Sequence, residues 1–213
     1  MPLNLRKYCA MNMEILSALI GFAFVTSVTP GPNNMMLLAS GANFGLRRSV
    51  PHMLGISLGH SLMVFLVGVG LGVVVTSVPG LMLGLKALAL VYMLWLAWKI
   101  AHAAAPEGAT AGARPLTFGQ AAAFQWINPK AWAMALGATS AYAPGIGFDS
   151  EMAAALGVAL VFAAVNLPSV SVWTLAGEAL RGILRDPGWL RRFNWTMAAL
   201  LVLSLIPVLR MEF

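Results

Sequence analysis

A short run of helix-breaking residues constrains this chain more than any other feature. It reads TPGPNN at positions 29–34 and lies inside a segment that is otherwise apolar enough to cross a membrane. Proline removes a backbone donor and glycine loosens the chain, so a helix breaks or kinks here and leaves backbone groups unpaired. Within a bilayer, such a break is tolerated only where protein buries it or where it lines a polar cavity. The run therefore predicts a cavity inside a membrane-embedded bundle.

The composition predicts an integral membrane protein. Of the 213 residues, 60% are hydrophobic and 9% are charged, and the mean hydropathy is +0.82. Soluble domains carry about 25% charged residues, so this chain has too few to cover a surface in water. A Pro-Gly turn at 79–80 favours a hairpin over one very long helix. The six predicted spans cover residues 13–42, 50–75, 80–100, 118–142, 152–176 and 193–209.

The distribution of basic residues predicts the orientation. Eight of the 13 lysines and arginines lie in or beside the loops that follow the first, third and fifth spans. The loops after the second and fourth spans offer only Lys86, opposed by Asp149 and Glu151. Because cytoplasmic loops are enriched in lysine and arginine, we expect both termini outside the cytoplasm. The net charge of +6 is spread over membrane loops, which indicates contact with anionic lipid and argues against a nucleic-acid partner.

The chain reads as one domain, residues 1–213, made of two similar halves. The repeats cover about 13–100 and 118–210, with three spans each, and the first span of each half contains a proline motif. In the second half this motif is Asn128-Pro129-Lys130. Because each half has an odd number of spans, the second half crosses the membrane in the opposite direction to the first. The predicted fold is thus an all-α integral membrane protein with six transmembrane helices in two inverted three-helix repeats, whose first and fourth helices are broken. The alternative is that both prolines only kink packed helices.

Several motifs together resemble one family of bacterial amino-acid exporters, the lysine exporter and homoserine/threonine resistance family. They occur in the order Pro30-Gly31-Pro32-Asn33, Gly45-Leu46-Arg47-Arg48, Gly55, Gly59 and Asn128-Pro129-Lys130-Ala131. The resemblance covers nearly the whole chain. It implies a secondary transporter of the bacterial inner membrane, driven by the proton gradient, that exports amino acids or small amino-acid-like metabolites by alternating access.

Two further motifs, WLAWKI at 95–100 and FQW at 124–126, look most like the branch that includes cysteine and O-acetylserine exporters. The chain also departs from the family pattern. Ser49, Ala89 and Ala97 are small-for-small exchanges, whereas residues 140–142 replace a frequent Pro-Gln-Phe. The last departure changes the end of the fourth span and weakens the inference from family to a particular substrate.

The two proline motifs supply the candidate substrate-binding residues. Freed backbone amides and the positive end of a half-helix suit the carboxylate of an amino acid. The three asparagines add donors and acceptors, and the alternative for each is that it only satisfies the broken backbone. The candidate set is Thr29, Pro30, Gly31, Pro32, Asn33, Asn34, Asn128, Pro129 and Lys130.

Three titratable residues are candidates for proton coupling. Lys130 lies in an apolar stretch of the fourth span, where a charge is costly and points to function. It would pair with a substrate carboxylate or carry a proton, unless it snorkels to an interface. The second candidate is His60, because histidine as a residue type titrates in a suitable range, but a lone helical histidine is more often a packing residue. Glu14, near the outer end of the first span, is the third candidate, and its alternative is a place among the lipid headgroups.

Two other patterns carry hypotheses about motion and packing. Asn166 and Pro168 in the fifth span are candidates for a gate, and the alternative is an ordinary proline kink whose freed carbonyl the asparagine satisfies. Gly55 and Gly59 form a GxxxG step. Such a step lets helix backbones approach closely and favours packing within the monomer over a dimer interface, although a homo-oligomer stays open.

Other function classes find little support in the sequence. No HExxH motif and no intramembrane aspartate pair is present, so we predict that the chain is not an enzyme. No GxxxxGK[ST] loop is present either, which leaves a gradient or a partner as the energy source. The alternative function is an exporter of a metal or inorganic ion on a related fold. Metal export would call for clustered His, Asp or Cys in the helices, and the sequence predicts neither a metal site nor a cofactor.

Overall fold

The computed structural model describes residues 12–78, 80–102 and 114–206, and the regular structure within those ranges is entirely helical. The helices are α1 (Met13–Val28), α2 (Pro32–Phe44), α3 (Leu46–Leu66), α4 (Gly72–Ser77), α5 (Leu81–Ala101), α6 (Phe118–Gln125), α7 (Pro129–Tyr142), α8 (Glu151–Leu180) and α9 (Pro187–Leu203). A π-helical segment, Val67–Leu71, joins α3 to α4, and short 3₁₀ turns follow α7 and α8. The predicted all-α class is confirmed.

Side-chain caps fix where several helices begin. Asn12, Thr117 and Ser150 each accept a hydrogen bond from a backbone amide in the first turn of α1, α6 and α8, respectively. Asp186 does the same for α9, with Pro187 at its first position. α9 therefore starts six residues before the predicted 193, because a cap and a proline outweigh the polar character of its first turns.

The spans match the prediction in part. Three stretches are each long and apolar enough to cross a membrane, namely Leu46–Ser77, Leu83–Ala101 and Glu151–Leu180. The pair α1–α2, bent by 56° at its break, would be a fourth. Among the described residues, α6–α7 and α9 do not reach that length and apolarity, since α6–α7 is interrupted and α9 has 17 residues. The six-span layout therefore stays a prediction.

The helix stops between the second and third predicted spans, so they are not one very long helix. The stretch Leu46–Ser77 ends just before Gly80, whose φ of +79° suits a residue without a Cβ. Pro79 lies outside the described residues. The remainder of the predicted sixth span, 207–209, also lies outside them.

Packing places α3 and α8 at the centre of the bundle. α8 lies against α1, α2 and α3, while α3 also lies against α6, and α5 packs on α9. Glycines make two of these crossings very close: Gly41 and Gly177 bring α2 and α8 together, and Gly55 and Gly59 bring α3 onto α6. A Cβ atom at Gly59 would lie 2.6 Å from the Cα of Ala122. The GxxxG step therefore packs within the chain, as predicted.

Candidate functional site

Two helix breaks with matching registers lie near the centre of the bundle. We call residues 29–31 the first break and residues 126–128 the second break. Pro32 opens α2 four positions after Val28, the last residue of α1. Pro129 opens α7 four positions after Gln125, the last residue of α6. The predicted breaks in the first and fourth helices are thus present, and corresponding residues of the two halves can be paired by position.

Side chains from other helices satisfy the carbonyl end of α1 at the first break. The Nδ2 atom of Asn34 donates to the carbonyl oxygens of Ser27 and Thr29, both at 2.8 Å. The indole Nε1 of Trp173, on α8, donates to the Val28 carbonyl at 3.1 Å. Helix ends buried without partners are costly, so these bonds allow the helix to stop inside the bundle.

The second break closes mainly on itself. The amides of Trp126, Ile127 and Asn128 each bond to the carbonyl three residues earlier, which forms tight turns. The Asn128 side chain accepts from the Lys130 amide at 3.1 Å and so caps α7. The Trp126 carbonyl accepts from Nε1 of Trp132 at 2.9 Å. Every one of these bonds stays within residues 121–132 of the same repeat.

Two polar contacts join the breaks to each other. Lys130 Nζ donates to the carbonyl oxygen of Thr29 at 2.7 Å. Asn33, which corresponds by position to Lys130, exchanges two hydrogen bonds with the side chain of Gln125, at 2.9 and 3.2 Å. Each half therefore places the second residue of its post-break helix against the pre-break end of the other half.

Gly31 leaves room for the lysine. A Cβ atom at position 31 would lie 2.9 Å from Cδ and 3.1 Å from Nζ of Lys130. The backbone of Gly31 is extended, so glycine is needed there for space and not for its conformational freedom. The stem of Lys130 thus lies over the first break, and its ammonium group bonds the end of α1.

A small cavity lies between the breaks. Its volume is about 20 Å³, which is space for about one water molecule. Residues of α1, α2, α3, α7 and α8, together with the break residues Gly31 and Asn128, form its wall. The lining residues are Thr26, Ser27, Gly31, Asn33, Asn34, His60, Asn128, Lys130, Ala131, Met134, Asn166 and Val170.

The structure brings together part of the predicted site. Gly31, Asn33, Asn34, Asn128, Lys130, His60 and Asn166 line the cavity. Thr29 contributes its carbonyl oxygen to Lys130 from the rim, and Pro32 and Pro129 open the two post-break helices. Pro30 is exposed and does not line the cavity.

Two candidates lie away from the cavity. Glu14 is exposed in the first turn of α1. Pro168 does not line the cavity, and α8 runs through it as one helix from Glu151 to Leu180. The side-chain amide of Asn166 donates to the Ser27 hydroxyl at 3.1 Å and not to a carbonyl freed by Pro168.

Sequence reasoning missed Gln125 and Ser27 as members of the site. Gln125 is fully buried and bonds Asn33 across the breaks, and Ser27 is 4% exposed and lines the cavity. A usable signal existed for Gln125. It is a polar residue in an apolar stretch, at the same distance from Pro129 as Val28 from Pro32.

The structure combines long apolar helices with a polar cavity at two helix breaks. This combination defines a multi-pass helical membrane protein with the architecture expected of a translocator. The chain belongs to the LysE type translocator family, whose model matches residues 24–205. The sequence-based assignment to an exporter family is therefore confirmed at the level of the family.

Two relatives match over nearly their full length. The chain is 30% identical to the cysteine/O-acetylserine efflux protein of Klebsiella pneumoniae over 192 residues, which cover 90% of this chain and 95% of the relative. It is likewise 30% identical to the protein of that name from Escherichia coli K12 over 193 residues, which cover 90% and 96% of the two chains. No solved structure gives a significant match.

Proposed function

We propose that this protein exports amino acids, or small amino-acid-like metabolites, across the bacterial inner membrane. Family membership and relatives that are named cysteine/O-acetylserine efflux proteins support this class of substrate. The observation that carries the proposal is the bond between Lys130 Nζ and the Thr29 carbonyl at the rim of the cavity. It places a cation and an acceptor together, between two helix breaks.

The two ends of a zwitterion complement the two partners of that bond. A substrate carboxylate would attract the Lys130 ammonium group, and charge-assisted bonds of this kind are the strong ones. The substrate ammonium would then take the acceptor that Lys130 leaves, at the negative end of α1. Binding thus exchanges one internal bond for two bonds to the substrate.

The same exchange suggests how the substrate crosses the membrane. The cavity holds about one water, so an amino acid needs a wider conformation to enter and another to leave. We propose alternating access in which two inverted three-helix halves rock about the cavity, with both termini outside the cytoplasm. The matching registers of the breaks and the pairings of α3 with α8 and α5 with α9 support this symmetry.

The proton gradient is the proposed energy source. Lys130 and His60 line the cavity, so a proton carried by either one would be coupled directly to the occupancy of the site. Glu14 is exposed and does not line the cavity, so the proposal does not include it. Export of a metal ion gains no support, because the described residues contain no group of three or more His, Cys, Asp or Glu that could hold one.

The test is transport by purified protein in liposomes that are loaded with labelled cysteine, kept reduced, or with O-acetylserine. We expect efflux that follows an imposed proton gradient and that falls about tenfold or more in Lys130→Met, the loss expected for one charged hydrogen bond. Lys99→Met is the matched control, because Lys99 is exposed on α5 and lies over the Trp95 ring.

The outcomes separate the parts of the proposal. Normal efflux by Lys130→Met would show that Lys130 is not part of the site, and the proposed function would still stand. Efflux that ignores the proton gradient would remove the coupling. Wild-type protein that moves no amino acid would contradict the function itself.

A further inference from the structure

Two residues on the cavity wall have polar atoms without a partner. His60 is 2% exposed and Asn166 is 4% exposed. Neither ring nitrogen of His60 has a hydrogen-bond partner, and neither does Oδ1 of Asn166. Both residues line the cavity, and each combines near-complete burial of the residue with a buried polar atom that has no hydrogen-bond partner. Such groups are rare in native proteins and call for an explanation.

Phe162 links the surroundings of these two residues. Phe162 and Asn166 are four residues apart on α8 and so share one face of the helix. The His60 ring meets the Phe162 ring edge-on, with centroids 5.1 Å apart. His60 of α3 and Asn166 of α8 therefore belong to one patch of the wall.

The Ser27 hydroxyl orients the Asn166 amide. Nδ2 of Asn166 donates one of its two N–H groups to the Ser27 Oγ atom at 3.1 Å, and Oδ1 is left as an acceptor without a partner. A neutral imidazole has one donor and one acceptor nitrogen. The imidazole thus offers one donor and one acceptor, and Asn166 Oδ1 offers a further acceptor, to whatever enters the cavity.

Other polar side chains of the cavity wall form hydrogen bonds at the two breaks. Lys130, Asn34 and Asn128 already bond the broken backbone, and Asn33 bonds Gln125. These bonds gather at the breaks, where a zwitterionic head group would bind. The unused atoms lie on the wall formed by α3 and α8, which is where the rest of such a substrate would extend.

We propose that His60 and Asn166 form the side-chain subsite of the transporter and bind a hydroxyl, thiol or ester group of the exported amino acid. This inference rests on the proposed function. A hydroxyl or thiol donates to Asn166 Oδ1 and accepts from the imidazole N–H, and an ester carbonyl accepts from the imidazole. Met134 and Val170 line the same cavity and limit the size of the side chain.

The subsite selects against apolar side chains of the same size. An apolar group would bury both residues without partners, and sites built for hydrogen bonding reject analogues that lack the polar group. Cysteine and 2-aminobutyrate make a matched pair, since they differ only by a thiol in place of a methyl group. We expect wild-type protein to transport cysteine about tenfold or more faster than 2-aminobutyrate.

The experiment measures that ratio in liposomes for His60→Phe and Asn166→Leu, with His102→Phe and Asn43→Leu as matched controls. His102 is exposed at the end of α5, and Asn43 bonds a carbonyl within α2. Transport is measured as downhill efflux without an imposed proton gradient, so that a role of His60 in coupling does not affect the result. In the two subsite variants we expect the ratio to fall to about one while downhill transport of 2-aminobutyrate persists, and His60→Gln to restore part of the preference. Persistent transport shows that folding and the head-group site are intact.

Several results would overturn the proposal. One is an unchanged ratio in both subsite variants, and another is a wild-type ratio near one. If either subsite variant transports neither amino acid, the binding preference is measured instead, as thermal stabilisation of the detergent-purified variant by each ligand. A preserved preference for cysteine in that measurement contradicts the subsite. A wild-type protein that transports neither amino acid would instead contradict the proposed function.

Discussion

The first break depends on other helices, whereas the second break is closed by its own repeat. Side chains from α2, α7 and α8 bond the carbonyls of residues 27–29. At the second break, turns of the backbone and the Trp132 indole do the equivalent work. Two breaks with the same register thus differ in what a ligand can replace. The first offers an acceptor whose partner is the Lys130 side chain from the other half, and the second is closed by bonds within its own repeat.

Exchanging the two corresponding polar residues tests this difference most severely. In Asn33→Lys/Lys130→Asn, the lysine would face Gln125 and the first break would lose its cation. We expect export to fall about tenfold or more, as in the single variant Lys130→Asn, because the relocated lysine would bond the Gln125 side chain and leave the carbonyl end of α1 without a cation. The measurement is efflux of labelled cysteine at matched membrane expression, with Lys99→Asn as the control. Recovery of export in the exchanged protein relative to Lys130→Asn would show that the breaks are interchangeable.

Filling the space beside the first break should have a smaller effect. Gly31→Val places side-chain atoms where Cδ of Lys130 now lies, so the lysine must shift away from the Thr29 carbonyl. We expect a several-fold loss of export with the protein still folded, because the extended backbone at position 31 accepts any residue. Gly84→Val, where an added Cβ meets nothing within 4 Å, is the control. Normal export by Gly31→Val would show that the position of Lys130 does not matter.

Two tryptophans allow the finest comparison, because each donates to a carbonyl at one break. Trp173→Phe and Trp132→Phe each remove one such bond and should lower the free energy of unfolding by about 1 kcal/mol. We expect Trp173→Phe also to slow export, because the acceptor end of α1 loosens, and Trp132→Phe to leave export almost unchanged. Thermal unfolding in detergent and efflux assays test the pair. Equal losses of export in both variants would remove the distinction between the breaks.

Parts of this picture could be predicted from the sequence. The TPGPNN and Asn-Pro-Lys motifs located both helix breaks, because proline and its neighbours act on the local backbone. Proline did not decide the outcome alone, since α8 continues through Pro168 where packing supports the helix. The early start of α9 was missed because the prediction followed apolar residues and not the Asp186 cap.

The partners of the polar residues could not be predicted in the same way. Asn33 and Gln125 are 92 positions apart, and Lys130 and Thr29 are 101 apart. Which of these atoms meet depends on how each helix is rotated about its axis. Apolar helices in a bilayer carry little amphipathic pattern from which rotation can be read, because lipid and protein present similar surfaces to them.

The sequence by itself determined that the chain enters a membrane and where its helices stop, since hydropathy and proline act on short segments. Only the tertiary structure decided that Lys130 bonds the end of α1, and that His60 and Asn166 retain unused polar atoms on one wall. Close crossings at glycines fix those rotations and bring distant residues to a single cavity. The physical reason is that backbone propensity is local, whereas the pairing of buried polar atoms depends on the packing of the whole bundle.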